Sequence, residues 1–252
     1  MKLNGNTIFI TGGGSGIGRG LAEAFHKLGN KVIISGRRKS ALDEVVQANP
    51  GIVAYEMDIT SLESIKSTAA RIISEYPDVN VLFNNAGIMP FDDAAKPIDE
   101  DVMQNIITTN LIGPIRLTSA FIEHFKTKSN AVILNNTSVL AFVPLAYAAV
   151  YSSTKAALHS FSLSQRFALR DTSVKVQEIA PPWVDTDLVK KSGDPRSMPI
   201  DAFVKETLEK LAGEGEEIYV DSIAMLRDNP GAGEHEFFNQ FNQAMVDSPI
   251  PH

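Results

Sequence analysis

Short, uninterrupted apolar runs alternate along this chain with longer segments in which apolar residues recur every three or four positions. Runs of the first kind at residues 6–10, 31–35, 52–56, 80–84, 131–136 and 174–179 predict strands. Between them, residues 16–28, 39–48, 61–76, 99–125 and 150–170 predict helices, the fourth in one or two pieces bent at Pro114. Within 61–76, for example, Leu62, Ile65, Ala69, Ile72 and Ile73 fall at helical spacing. A strand that is apolar throughout, rather than at every second position, leaves no face for water and must be covered on both sides. The expected fold is therefore α/β: a Rossmann-type doubly wound parallel sheet of six or seven strands with helices on both faces. Past Pro181 the pattern loosens. Residues 185–199, with Gly193, Pro195 and Pro199, read as a mobile loop; 200–211, 217–227 and 234–245 read as helices, and no clear seventh strand stands out. No repeat or linker divides the 252 residues, so the expectation is one domain over 1–252, with a lid near 185–211 and a helical carboxyl-terminal tail.

Composition removes several function classes. Lysine and arginine number 23 against 30 acids, a net charge of -7, which opposes nucleic acid and anionic membrane surfaces as partners. The absence of cysteine excludes disulfides, thiolate zinc sites and a cysteine nucleophile. The longest charge-free stretch, 129–154, is interrupted by Asn130, Asn135, Asn136, Ser138 and Pro144, so no membrane helix is expected there. The amino terminus carries one lysine and few apolar residues before a glycine cluster and does not read as a signal peptide. The expectation is a soluble, cytoplasmic protein.

The first strand runs into Thr11-Gly12-Gly13-Gly14-Ser15-Gly16-Ile17-Gly18, and a helix follows at once. Glycines let the backbone turn sharply and approach a ligand closely, and the helix start then offers free amides and a partial positive charge to a diphosphate. The second strand ends Ser35-Gly36-Arg37-Arg38. A carboxylate at this point of a dinucleotide fold bonds the adenosine ribose; here two guanidinium groups stand instead, and arginine suits a 2′-phosphate. NADP(H) is thus the preferred cofactor, with NAD(H) possible.

Tyr151 and Lys155, four apart at the start of a predicted helix, project from one face. Ser138 lies just past the fifth strand, and Asn110 sits in Thr109-Asn110-Leu111-Ile112-Gly113. With the glycine cluster and with Asn84-Asn85-Ala86-Gly87 after the fourth strand, these residues resemble the motif set of the short-chain dehydrogenases/reductases, single-domain branch. The resemblance covers roughly residues 5–190. Three shorter segments (Ala141-Phe142-Val143-Pro144, Asp171-Thr172-Ser173-Val174 and 180–186) are similar to bacterial oxidoreductases of the D-alanyl teichoic-acid operon type and to carbonyl reductases for bulky ketones.

The resemblance implies a division of labour. Tyr151 acts as general acid in ketone reduction and as base in alcohol oxidation. Lys155 lowers the phenol pKa and holds the nicotinamide ribose. Ser138 donates a hydrogen bond to the substrate oxygen, and Asn110 holds a water that leads from Lys155 to solvent. Cofactor contacts carry over to Gly12, Ser15, Gly16, Ile17, Gly18, Arg37 and Arg38 on the phosphate side, and to Asp58 and Ile59 beside the adenine. Asn85, Ala86 and Gly87 carry over as the ribose and nicotinamide floor, and Pro181, Val184 and Thr186 as the carboxamide grip. The chain departs from the family's Pro-Gly with Pro181-Pro182, where the second proline removes an amide donor. No metal is expected, since hydride comes from the cofactor.

Met89, Leu140, Val143, Leu145, Ala148, Trp183 and Leu188 are expected to face the substrate, which favours a ketone or secondary alcohol with hydrophobic substituents. Tyr147, with no lysine four residues on, reads as pocket lining or packing and not as the acid. Val220-Asp221-Ser222 does not reproduce the tail with which many members build a tetramer, so a homodimer through the long helices is expected, with a tetramer left open. A dinucleotide-binding sensor without catalysis is the competing reading. His26, His124 and His159 read as surface or half-buried side chains, and Glu234-His235-Glu236 as an exposed helix start.

Overall fold

The computed structural model describes residues 1–189, 193–213 and 215–249. Among these, seven parallel strands form one sheet in the order β3-β2-β1-β4-β5-β6-β7. The strands are β1 (Thr7–Thr11), β2 (Lys31–Gly36), β3 (Val53–Glu56), β4 (Val79–Asn84), β5 (Val132–Asn136), β6 (Lys175–Ile179) and β7 (Glu217–Ile218). The apolar runs are explained by the pleat, which sends successive side chains to opposite faces. Ile8 and Ile10 of β1 enter a core with Leu21 and Phe25 of helix α1 (Gly16–Lys27) and with Phe203 and Leu211 of α7 (Ile200–Leu211). Phe9 between them enters a second core with Ile65 of α3 (Leu62–Glu75) and Phe121 of α5 (Gly113–Lys126), its ring 5.6 Å from that of Phe121. Helix α2 (Lys39–Ala48) adds Leu42 and Val45 to the first core.

Two expectations need correction. The segment 99–125 is broken not at Pro114 but just before it: α4 (Glu100–Ile107) passes through a π-helical turn, Thr108–Ile112, into α5. Pro114 is the second residue of α5, directly after Gly113, whose amide still donates back to Thr108 O across the wider turn. Residues 217–227 are not one helix. Glu217–Ile218 form β7, followed by a 3₁₀ turn at Asp221–Ile223 and the short α8 (Ala224–Arg227). The reason is the open edge of β6, whose amides need acceptors: Glu178 N donates to Glu216 O at 2.8 Å and Ala180 N to Ile218 O at 2.8 Å. Two residues are too few to write a strand period into the sequence. The expected loop at 185–199, of which 190–192 lie outside the described residues, is flanked by a bridge between Val184 and Met198.

The chain moves outward to β3 on one side of β1 and, after re-entering at β4, outward to β7 on the other. At the carboxyl ends of β1 and β4 the connecting segments part, and this is where open α/β sheets hold ligands. No helix among the described residues is long and apolar enough to cross a membrane.

Candidate active site

A cleft of about 750 Å³ opens at this divide. One wall is the turn from β1 into α1. Gly12 adopts φ +67°, and a Cβ there would lie 3.0 Å from the Ala86 Cα, so the turn needs glycine. Gly18 stands behind it: a Cβ would come 2.4 Å from the Gly12 carbonyl oxygen, so it sets the packing of α1 on the turn and does not line the cleft. Ser15, which precedes α1, makes no side-chain cap to the helix, and no acid stands in the first turn. The α1 amides are therefore left for a ligand. Arg37 and Arg38 reach the same end, where Arg38 Nη2 donates to Ser15 Oγ at 3.0 Å.

The floor is the segment after β4. Thr11 Oγ1 accepts from both Asn85 N and Ala86 N at 3.0 Å, while Asn85 Nδ2 donates to Thr11 O at 2.9 Å. Asn136 Nδ2 donates to the side-chain Oδ1 of Asn85 at 3.0 Å. Thr11, which opens the glycine motif, and Asn136 both line the cleft and fix these neighbours, although neither is among the site residues expected from sequence. Asn85, Ala86 and Gly87 all line the cleft, as do Ile59, Pro181, Val184 and Thr186. Asp58 is set back from the lining: its Oδ1 accepts from Thr60 N and Thr60 Oγ1 at 2.9 and 2.8 Å, a local turn that engages one of its two carboxylate oxygens. Its proximity to the cleft is through Ile59.

Tyr151 lies in the first turn of α6 (Ala149–Ala168), which has no side-chain cap of its own. Asp92 supplies one from a distant loop, its two carboxylate oxygens accepting from Ala149 N at 2.9 Å and Val150 N at 3.0 Å. An acid at a helix start both satisfies amides and meets the helix dipole, so Asp92 fixes where the tyrosine stands. Ser138, two residues past β5, accepts from Leu140 N at its Oγ at 3.1 Å and is the side chain that pulls the phenol's pKa down. Lys155, one turn along, donates from Nζ to Asn136 O at 2.7 Å and lies 5.5 Å from the Tyr151 ring centre. Asn110 occupies the π-helical turn, fully buried. Its amide takes both polar groups of Ile88, accepting from N at 2.9 Å and donating to O at 2.8 Å. The Gly87 backbone sits between Asn110 and Lys155: a Cβ there would be 3.4 Å from Asn110 Oδ1 and 3.7 Å from Lys155 Nζ. The four expected residues thus meet at one place, with Asn110 just behind the cleft surface and the other three on it.

The electrostatics correct one expectation. Burial pushes the Tyr151 phenol up to about 12, against a smaller downward pull from the Ser138 hydrogen bond. Burial likewise draws the Lys155 ammonium down to about 8, opposed by the Glu178 carboxylate. In the free protein the phenol is therefore not acidified; burial outweighs the pull of Ser138. A neutral phenol beside an ammonium is the state that holds a proton ready to give.

At the other end the cleft is apolar. Met89, Leu140, Leu145, Trp183 and Leu188 line it as expected, whereas Val143 and Ala148 are fully buried and complete the core. Tyr147 packs edge-on against Phe91, ring centres 5.2 Å apart. Phe241 and Met245 of the last helix, α9 (Glu234–Asp247), also enter the wall, and sequence alone gave no sign of this. Asn242 pins that helix: Nδ2 donates to Pro144 O at 3.0 Å and Oδ1 accepts from Ala146 N at 2.5 Å. Losing a buried hydrogen bond costs about 1–3 kcal/mol. Asn242→Ala is accordingly expected to raise KM for an apolar substrate several-fold and to expose α9 to limited proteolysis. Cofactor affinity stays as it was, and an unchanged KM would show that α9 is not part of the wall.

The profile of the short chain dehydrogenases matches residues 6–197. An uncharacterized oxidoreductase, DltE, of Bacillus subtilis is 41% identical over 248 residues, covering 96% of this chain and 98% of its own. An NADP-dependent 3-hydroxy acid dehydrogenase of Schizosaccharomyces pombe is 32% identical over 201 residues, 77% of this chain and 78% of its own. Among solved structures, a short chain dehydrogenase from Burkholderia cenocepacia in complex with NADP superposes with a TM-score of 0.78 at 26% identity. That likeness covers 98% of this chain and 95% of the other. With the profile spanning well over half its length and the motifs gathered in one cleft, this chain belongs to the short chain dehydrogenase family, whose members are oxidoreductases.

Proposed function

We propose that the protein is an NADP(H)-dependent reductase of ketones, or dehydrogenase of the matching secondary alcohols, with hydrophobic substituents. The observation that carries this reading is that Ser138, Tyr151 and Lys155 stand on the wall of a single cleft running from the glycine turn to the apolar end. A nicotinamide dinucleotide bound there supplies the hydride. The residues fit such a group: uncapped α1 amides for the diphosphate, glycine where a Cβ would close the cradle, and no carboxylate at the end of β2. Tyr151 gives its phenolic proton to the carbonyl oxygen as negative charge builds there, Ser138 donates a hydrogen bond to the same oxygen, and Lys155 offsets the charge left on the phenol. Asn110 keeps the Ile88 backbone and the Gly87 floor in place beside Lys155.

The apolar end argues against a carboxylated substrate. Arg196 is the one arginine on that side of the cleft among the described residues, and its guanidinium is held by Asp194 at 2.7 Å and by the Pro249 carbonyl at 3.0 Å. A homodimer fits as well, since Leu163 and Phe167 lie exposed on α6, one turn apart; a monomeric mass by light scattering would count against it.

A panel of aryl, cyclic and short-chain ketones assayed with NADPH and NADH tests the reading, and no turnover with either cofactor would leave the sensor reading standing. In the same assay Arg37→Ala is expected to lower kcat/KM for NADPH by about 10–100-fold, the worth of a charge-assisted contact of about 1.5–3 kcal/mol. The value for NADH should hardly move. A parent enzyme that prefers NADH overturns the role given to the arginines.

A further inference from the structure

Outside the groups already assigned, one cluster around a buried carboxylate stands out among the described residues. His159, Glu178 and Glu217 bring ligand-type atoms within 4.8 Å of one another. These donors are already engaged. Arg227 takes both oxygens of Glu217 at 2.6 and 3.1 Å, and each Glu178 oxygen lies at hydrogen-bond distance from a donor of this chain. The cluster is a charge network, and its informative member is Glu178.

Glu178, the penultimate residue of β6, is fully buried. Thr137 Oγ1 donates to its Oε1 at 2.6 Å, and His159 Nδ1 lies 3.0 and 2.8 Å from its two oxygens. Because a carboxylate only accepts, the imidazole carries its hydrogen on Nδ1. Both partners connect directly to the acid–base site. Thr137 is the middle of three residues of which Asn136 holds Lys155 through its carbonyl and Ser138 stands on the cleft wall with Tyr151. His159 continues the α6 face on which Tyr151 and Lys155 stand, at successive four-residue steps. One carboxylate therefore grips both the strand-end segment and the helix face that the reaction needs in register.

The charged surroundings are simple. From α6 Lys155 and His159 face Glu178; Arg166, further along, donates instead to the Val176 carbonyl at 3.1 Å and pairs with Glu216 at 3.4 Å. From α8 comes Arg227, neutralised by Glu217 of β7. Lys155 itself faces Tyr151 on its own helix and Glu178 across from it.

We infer that Glu178 is a positioning residue of the acid–base site, locking the segment 136–138 against α6 through Thr137 and His159 and supplying the anion that faces the Lys155 ammonium. The inference rests on the oxidoreductase reading above for its kinetic consequences, though not for its electrostatic one.

Glu178→Gln preserves shape and removes the charge. Lysine labelled with ¹³C at Cε, with the Lys155 signal assigned through Lys155→Arg, reports the protonation of Lys155 without any substrate. Its midpoint is expected to fall by about one pH unit in Glu178→Gln. The alkaline limb of kcat/KM for NADPH-dependent ketone reduction is expected to move down with it, and Glu178→Asp should restore both. A carboxylate of merely structural value would lower stability or kcat at every pH and leave both midpoints in place, which overturns the inference. Thr137→Val keeps the charge and cuts its tie to the segment. Its Lys155 midpoint should stay, while kcat falls about fivefold at unchanged KM for NADPH. Unchanged kcat there overturns the positioning role even if Glu178→Gln does not fold. A wild-type protein with no turnover sinks the oxidoreductase reading instead, and the ¹³C titration still decides for or against Glu178.

Discussion

Tyr151→Phe is expected to lower kcat for ketone reduction by roughly 10²–10⁴-fold, the usual worth of a positioned acid, with NADPH affinity and melting temperature unchanged. The substitution removes one oxygen and keeps the ring, which packs with Leu145 and Ala148 in a small apolar cluster under the cleft. The hydroxyl is the only group on that ring able to give a proton, and burial pushes its pKa up to about 12, so at neutral pH the proton is present and available. Ser138 remains to polarise the carbonyl, which is why some turnover should survive. Cofactor quenching or enhancement of NADPH fluorescence separates the two roles of the site. Wild-type turnover by the variant would refute the assigned acid, and lost NADPH binding would make the tyrosine part of the cofactor floor instead.

How far the site could be read before the fold was known depended on where each contact lies along the chain. The glycine turn is local, and its positive φ at Gly12 and tight packing at Gly18 are consequences of residue type that the sequence displays. The pairing of Tyr151 with Lys155 is local too, since any helix projects residues four apart to one side. The α/β alternation followed from strands apolar on both faces, and Ile8, Phe9 and Ile10 divide between the two cores accordingly. What escaped reading is held by long-range contacts. The Asp92 cap on α6 spans 57 residues and the Asn242 pin spans 96, with no spacing rule to announce either. β7 exists because β6 has an edge to satisfy, and the π-helical turn places Asn110 in a break that periodicity assigned to Pro114. The direction of the tyrosine shift also escaped, because its largest cause is burial, which the sequence does not display.

Lys155→Met is expected to abolish useful turnover and at the same time stabilise the fold. Lys155 is 3% exposed, and burial draws its pKa from 10.5 down to about 8. Between those two values the unfolded chain holds a proton that the folded chain has released, so stability rises with pH across this window. Below about pH 8 both states are protonated and the folded state carries the full burden of a sequestered ammonium, about 3 kcal/mol at about 1.4 kcal/mol per pH unit. Methionine fills a similar space without charge. Against this, the Asn136 carbonyl loses its donor, worth about 1 kcal/mol, and Glu178 loses the cation it faces. A net gain of about 1–2 kcal/mol remains, or roughly 2–8 °C in melting temperature for a chain of this size at pH 7. The gain should shrink at pH 10, where the wild-type amine is already neutral, and the same loss of ammonium should make wild-type ketone reduction fall above about pH 8. Calorimetry of both proteins at the two pH values checks the argument. A destabilised variant at pH 7, or an equal gain at pH 10, would mean that the cleft solvates this lysine well and that its charge is not held against the fold for the sake of the reaction.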